Sequence, residues 1–201
     1  MALIIGLTGS IGTGKSTIAN KFRTLKIPIV DADVIAREVV EPNKEAYEKI
    51  VAQFGEQILL PNRTIDRKAL GNIVFTDEKK RQQLNAIIHP AIRSEMLRQR
   101  DEYVKQGAEC VVMDIPLLYE SKLTHYVDKV IVVSLSEEEQ LARVMKRDNS
   151  TKEEAMNRIN SQIPVAEKAK MADAVVDNNG TREASYAQLL NILQEWGVKT
   201  I

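Results

Sequence analysis

The chain has 201 residues, 44% hydrophobic and 28% charged, proportions that build one sizeable core of an ordinary globular protein. Lysine plus arginine and aspartate plus glutamate each number 28, so no net positive field is available to hold nucleic acid. One cysteine, Cys110, excludes an intrachain disulfide, and His89 and His125 lack the partners of a zinc site. The opening apolar run is too short for a signal peptide and no segment is apolar enough to span a bilayer. The expected setting is therefore cytoplasmic, with no membrane partner.

In chain order, Leu3-Ile4-Ile5-Gly6-Leu7 predicts a short buried strand. Directly behind it, Gly9-Ser10-Ile11-Gly12-Thr13-Gly14-Lys15-Ser16 has the pattern G-x-x-x-x-G-K-S/T, and Ile18, Phe22 and Leu25 continue at helical spacing. A strand, this loop and a helix together make a phosphate cradle. Glycines let backbone N–H groups turn inward, and the helix start adds its positive end. Lys15 supplies a mobile charge for the outer phosphates, and the Ser16 hydroxyl is a magnesium ligand. A nucleoside triphosphate is the expected ligand of Gly9 to Thr17.

Residues 28–31 predict a second strand, ending in Asp31-Ala32-Asp33 before a helix over 34–40. In an open parallel sheet such a strand end lies at the ligand edge. Asp33 is the candidate base for an acceptor hydroxyl, while Asp31 either caps the helix or orders water around magnesium. The plainer alternative is that both only cap. Arg37, one turn past Asp33, suits a phosphate on the acceptor. From about 40 to 107 the patterns are helical with no convincing strand, an insertion in which His89-Pro90 reads as a helix start or packing residue.

A third strand over 109–114 contains Cys110, expected to be buried, and ends on Asp114, where a water-linked magnesium carboxylate often sits. Pro116-Leu117-Leu118-Tyr119-Glu120 then reads as a pocket loop. After a fourth strand (129–134), Ser136 and Glu139 predict a capping box for a helix through Arg147. Arg143 and Arg147 share a face of that helix, and Arg158 follows in a polar helical stretch from about 148 to 172. On a closing lid these guanidinium groups would stabilise a transferring phosphoryl; otherwise they pair on a solvated face with Glu139 and Glu154. A last strand (174–177) precedes an amphipathic helix marked by Leu189, Leu190, Leu193 and Trp196, expected to pack on the sheet.

Near-continuous Val/Ile strands alternating with helices predict an α/β fold covered on both faces. The specific expectation is a P-loop NTPase three-layer sandwich with a five-stranded parallel sheet. It is a single domain carrying a helical substrate-binding insertion at about 40–107 and a helical lid at about 143–172. A GTPase switch would need Asn-Lys-x-Asp, and Asp177-Asn178-Asn179-Gly180 lacks the lysine. A motor ATPase would usually show a two-acid strand end or a basic surface. A small-molecule kinase using ATP and Mg²⁺ needs only the loop, the acid, the insertion and the lid. Another nucleoside or nucleotide kinase is the alternative.

These motifs resemble the dephospho-CoA kinase family across essentially the whole chain. The matching segments are the loop from Leu7 to Thr17, Asp31-Ala32-Asp33-Val34-Ile35-Ala36-Arg37, Leu84-Asn85-Ala86-Ile87-Ile88-His89-Pro90 and Pro116-Leu117-Leu118-Tyr119-Glu120. They continue with Arg143-Val144-Met145-Lys146-Arg147-Asp148 and Ala172-Asp173-Ala174-Val175-Val176-Asp177-Asn178-Asn179-Gly180. Ser10 stands where the family commonly has glycine. The resemblance implies phosphorylation of the ribose 3′-hydroxyl of dephospho-CoA by ATP. It implies Asp33 as base, Lys15 on the γ-phosphate, and Arg143 and Arg147 on ATP from the lid. Asn178 would lie against the adenine. Thr8, Asp33, Arg37, His89, Pro116, Leu117 and Leu118 would serve the acceptor. Ser16 would bind magnesium, with Asp31 or Asp114 acting through water.

Overall fold

In the computed structural model, which describes residues 2–200, the five apolar runs are strands. They are β1 (Leu3–Gly9), β2 (Ile29–Asp31), β3 (Cys110–Asp114), β4 (Lys129–Ser134) and β5 (Ala174–Asp177). The sheet order is β2-β3-β1-β4-β5 and the strands are parallel, with Ile5 beside Val112 and Thr8 beside Val132. All five residues of β3 are buried, which is why its sequence is apolar throughout rather than alternating. β1 lies between β3 and β4, so the chain departs to opposite sides of it, and the loop leaving β1 opens at that switch point.

Two compact units make up the chain: Met1–Val30 with Arg100–Ile201, and Asp31–Gln99. The first holds the sheet and its main core, where Ile5, Leu7, Val112, Ile131 and Val133 meet Ile18 and Phe22 of α1 (Lys15–Thr24) and Leu189 and Leu193 of α9 (Arg182–Glu195). Trp196 packs half-buried against this cluster, and Cys110 is buried in it. Burial pushes the Cys110 thiol up to about 12, so it behaves as a small apolar side chain.

Between β4 and β5 lie α6 (Glu137–Asp148), α7 (Lys152–Asn160) and α8 (Val165–Met171). Only half of the expected Ser136 box forms. Ser136 Oγ accepts the Glu139 N–H at 3.4 Å, but the Glu139 carboxylate turns to Arg143. The Ser136 N–H finds Asn179 Oδ1 at 3.0 Å instead, because a distant loop reaches it first. The complete reciprocal box is Thr151–Glu154, opening α7.

The second unit comprises α2 (Ala32–Glu38), α3 (Glu45–Phe54), α4 (Arg67–Phe75) and most of α5 (Glu78–Lys105). Ile50, Phe54, Ile58 and Leu70 form its core, with Leu84, Ile87 and Ile88 packed against them. Asp66 starts α4 by accepting the N–H groups of Lys68 and Ala69 at 2.9 and 3.0 Å. The helix-start reading of His89-Pro90 is corrected, because α5 runs through Pro90 without a break. The proline removes one N–H from the ladder, but Ala86, His89 and Pro90 are exposed, so water can serve the freed carbonyl.

Candidate active site

The loop between β1 and α1 is shaped by two left-handed glycines, Gly12 at φ 80° and Gly14 at φ 89°. Space enforces the choice as well as conformation. A Cβ on Gly12 would lie 2.7 Å from Val144 Cγ2, and one on Gly14 would overlap the Asn178 amide. Thr13 is fully buried, its hydroxyl donating to the Ser10 carbonyl at 2.9 Å and its own carbonyl accepting from Asn178 Nδ2 at 2.8 Å. At the start of α1 the Thr17 N–H is already taken by the Gly14 carbonyl at 2.9 Å, and the amides of Lys15 and Ser16, the first two of the helix, are the ones left to an anion. Lys15 Nζ pairs with Asp114 at the end of β3, and only 17% and 5% of these two side chains are exposed.

Distant side chains hold the loop from behind. Gln140 of α6 donates to the Ile11 carbonyl at 2.7 Å, and Gln162 accepts the Ile11 N–H at 2.8 Å. Ser10 Oγ donates to the Ile163 carbonyl at 3.2 Å. Asn178 is buried with both ends of its amide committed, Nδ2 to Thr13 and Oδ1 to the Ser185 hydroxyl at 2.9 Å. That side chain braces the loop.

Arg143, on α6, donates through Nη2 to the Asn178 carbonyl at 3.4 Å and through Nε to Glu139 at 3.2 Å. Its Nη1 stands 3.6 Å from where a Gly14 Cβ would lie, beside the phosphate loop. Arg147 does otherwise. Its fork closes on Asp148 at 2.7 and 2.9 Å, and Arg158 of α7 donates to the same carboxylate at 2.5 Å. The Arg147 hydrogen bonds, aided by Arg158, hold the Asp148 carboxyl down at about 2. Thus α6 and α7 are fastened by an Arg-Asp-Arg clasp.

The sequence model of the dephospho-CoA kinase family (CoaE) matches residues 3–183. The chain belongs to the dephospho-CoA kinase family. It is 53% identical over 198 residues to the dephospho-CoA kinase of Bacillus anthracis, covering 98% of this chain and 99% of that one. It is 54% identical over 196 residues to that of Geobacillus kaustophilus (strain HTA426), covering 98% of both. Among solved structures, the dephospho-CoA kinase from Campylobacter jejuni is 34% identical with a TM-score of 0.75, covering 98% of each chain. TT1252 from Thermus thermophilus is 31% identical with a TM-score of 0.81, covering 97% of each. The chain is thus a nucleotide-binding kinase of the α/β P-loop class.

Other residues expected to serve this kinase fall in varied surroundings. Thr8 is fully buried, its hydroxyl donating to the Pro116 carbonyl at 3.0 Å. Leu118 is buried and Leu117 is exposed. In the second unit, Asp31 is the N-cap of α2, its Oδ1 accepting from the N–H groups of Asp33 and Val34 at 3.0 and 3.2 Å. The Asp33 side chain, unlike its N–H, takes no part in that cap. Its carboxylate is exposed and bonds to no other described residue, which leaves it free for an acceptor. Arg37 and His89 are likewise exposed.

Sequence reading missed Glu120, Gln140, Gln162 and Lys168 as determinants of the loop. Lys168 Nζ donates to the Gly9 carbonyl at 3.0 Å and pairs with Glu120 at 2.8 Å. Residues 120 and 168 stand in separate polar stretches, and no local pattern announces a partner so far along the chain. The one available signal was Pro164, which interrupts the polar stretch and precedes the short helix bearing Lys168.

Proposed function

We propose that this kinase moves the γ-phosphoryl of ATP to the ribose 3′-hydroxyl of dephospho-CoA, the last step of coenzyme A biosynthesis, with Asp33 as general base. The observation that carries this reading is the approach of Arg143 to the glycine loop. Helix α6 would thereby contribute a cation where phosphate charge develops. Lys15 and the loop amides would hold the β- and γ-phosphates, and Arg143 would stabilise charge spreading over the equatorial oxygens. Asp33 would orient the hydroxyl and accept its proton, which its freedom from the α2 cap allows.

Within that reading, the helical insertion at about 40–107, which overlaps most of the Asp31–Gln99 unit, would bind the acceptor, and the segment at about 143–172, from within α6 to the end of α8, would be the lid. The donor set suits a magnesium ion arriving on the triphosphate, since such an ion keeps most of its waters and asks little of the protein. Ser16 would ligate it directly and the buried Asp114 carboxylate through water, the ion neutralising charge on the phosphate oxygens. No described helix is long and apolar enough to cross a membrane, and a cytoplasmic setting fits the metabolic role. The test is CoA formation from ATP and dephospho-CoA by the purified protein. ATP hydrolysis at one rate with and without the acceptor would defeat the assignment.

A further inference from the structure

Lys168 and Asp114 are the charged residues that fall among the buried ones, and only Asp114 has a place in the reading above. Lys168 is 0% exposed. Removing an ammonium from water costs several kcal/mol, about what close, well-formed partners can offset. Its partners are Glu120 Oε1 at 2.8 Å and the carbonyl of Gly9, the first residue of the phosphate loop, at 3.0 Å. A planar trans peptide sets C=O and N–H in opposite directions, so holding the Gly9 carbonyl also fixes where the Ser10 N–H points.

The same segment grips the next two loop residues. Ile163 accepts from Ser10 Oγ, Gln162 accepts from the Ile11 N–H, and Glu120 Oε1 in turn accepts the Ile163 N–H at 3.1 Å. Three consecutive loop residues are therefore registered against residues 162–168, with the Lys168–Glu120 pair at the centre. This segment begins two residues after α7, the helix carrying Arg158. The energetic cost of the buried pair has a return in loop geometry rather than in stability alone.

We infer that Lys168 and Glu120 are positioning residues that set the phosphate loop in its ATP-binding shape from behind, without touching ATP. This rests on the reading that Gly9 to Ser16 hold the triphosphate. The test compares Lys168→Met with the double variant Lys168→Met/Glu120→Gln, measuring melting temperature, ATP affinity by calorimetry and the KM of each substrate well below each variant's melting point. Lys168→Met should weaken ATP binding by about ten- to a hundredfold, the scale of a small misplacement in a binding loop, and leave the KM for dephospho-CoA nearly unchanged. It also strands a buried carboxylate and lowers the melting temperature.

The double variant removes that carboxylate charge, so its melting temperature should recover while its ATP affinity stays low. If Lys168→Met does not fold, the double variant supplies the measurement alone. A folded double variant with wild-type ATP affinity would overturn the inference and leave the pair a stability element. Lys15→Ala separates the two readings. If it binds ATP like the wild type, the loop assignment itself falls, whatever the Lys168 variants do.

Discussion

The two units of the chain hold their functional candidates in opposite ways. In the sheet-bearing unit, the phosphate loop is fastened by side chains from far along the sequence. Asn178 to Thr13 spans 165 residues, Lys168 to Gly9 spans 159, Gln162 to Ile11 spans 151 and Gln140 to Ile11 spans 129. In the helical unit the bonds join near neighbours, Asp31 to Asp33 and Val34, Asp66 to Lys68 and Ala69, and Tyr47 to the Arg63 carbonyl 16 residues on. Asp33, Arg37 and His89 there are exposed. Preorganised donors cost nothing to aim at the moment of reaction, whereas exposed side chains must be ordered when substrate binds. On the proposed reading, the nucleotide side would be built into the fold and the acceptor side left for the substrate to order.

The largest test of this contrast is Arg143→Ala. An arginine stabilising a loose phosphoryl-transfer state is worth about 10³–10⁵ in rate, and a loss of kcat within that range should appear in steady-state kinetics. A change below tenfold would reduce Arg143 to a surface partner of Glu139. Next comes Asp33→Asn, expected to lower kcat by about 10²–10⁴ while calorimetric ATP affinity stays close to wild type. Lost nucleotide affinity with normal turnover would contradict the role and break the division between the units.

A smaller effect separates two glycines of positive φ, Gly14 in the loop and Gly55 at the end of α3. Each should lose about 1–2 kcal/mol on substitution by alanine for the left-handed backbone alone. Gly55→Ala meets only the flexible Gln57 side chain, but Gly14→Ala displaces Asn178 from Thr13. Both variants should therefore melt at lower temperature, and Gly14→Ala alone should also weaken ATP binding. Equal ATP affinities would show that the loop tolerates loss of its distant brace.

The smallest expected effect concerns Glu95, whose carboxyl is held down from 4.5 to about 2, chiefly by the Arg98 hydrogen bond. Between those values the unfolded chain binds more protons, so stability rises with pH across the window. The contribution is whole above about pH 4.5 and disappears as pH falls to about 2. Glu95→Gln should lower the denaturant midpoint slightly at neutral pH and match the wild type at the acid end. A constant difference at all pH values would mean the effect is packing rather than charge.

Much of the architecture was legible because the signals are local. The runs at 129–134 and 174–177 coincide with β4 and β5, and Leu189, Leu193 and Trp196 face the sheet as the helical spacing predicts. Pro90 misled because its usual helix-breaking effect is weak at an exposed position with neighbours on both sides already helical. The resemblance implies Asn178 against the adenine, and its amide is spent on the loop itself. Arg143 and Arg147 looked equivalent by their four-residue spacing, and the structure gives one to the loop and the other to Asp148.

By itself the sequence determined the strand–loop–helix cradle, the order of the elements and the family, and it named the candidate acids and arginines, since each rests on residue type and short spacing. Tertiary structure alone decided which of two aspartates caps α2, which of two arginines reaches the glycines, and that Lys168 is buried behind Gly9. Those outcomes depend on contacts between residues far apart in the chain, where burial and hydrogen-bond competition choose the partner and no periodicity records the choice.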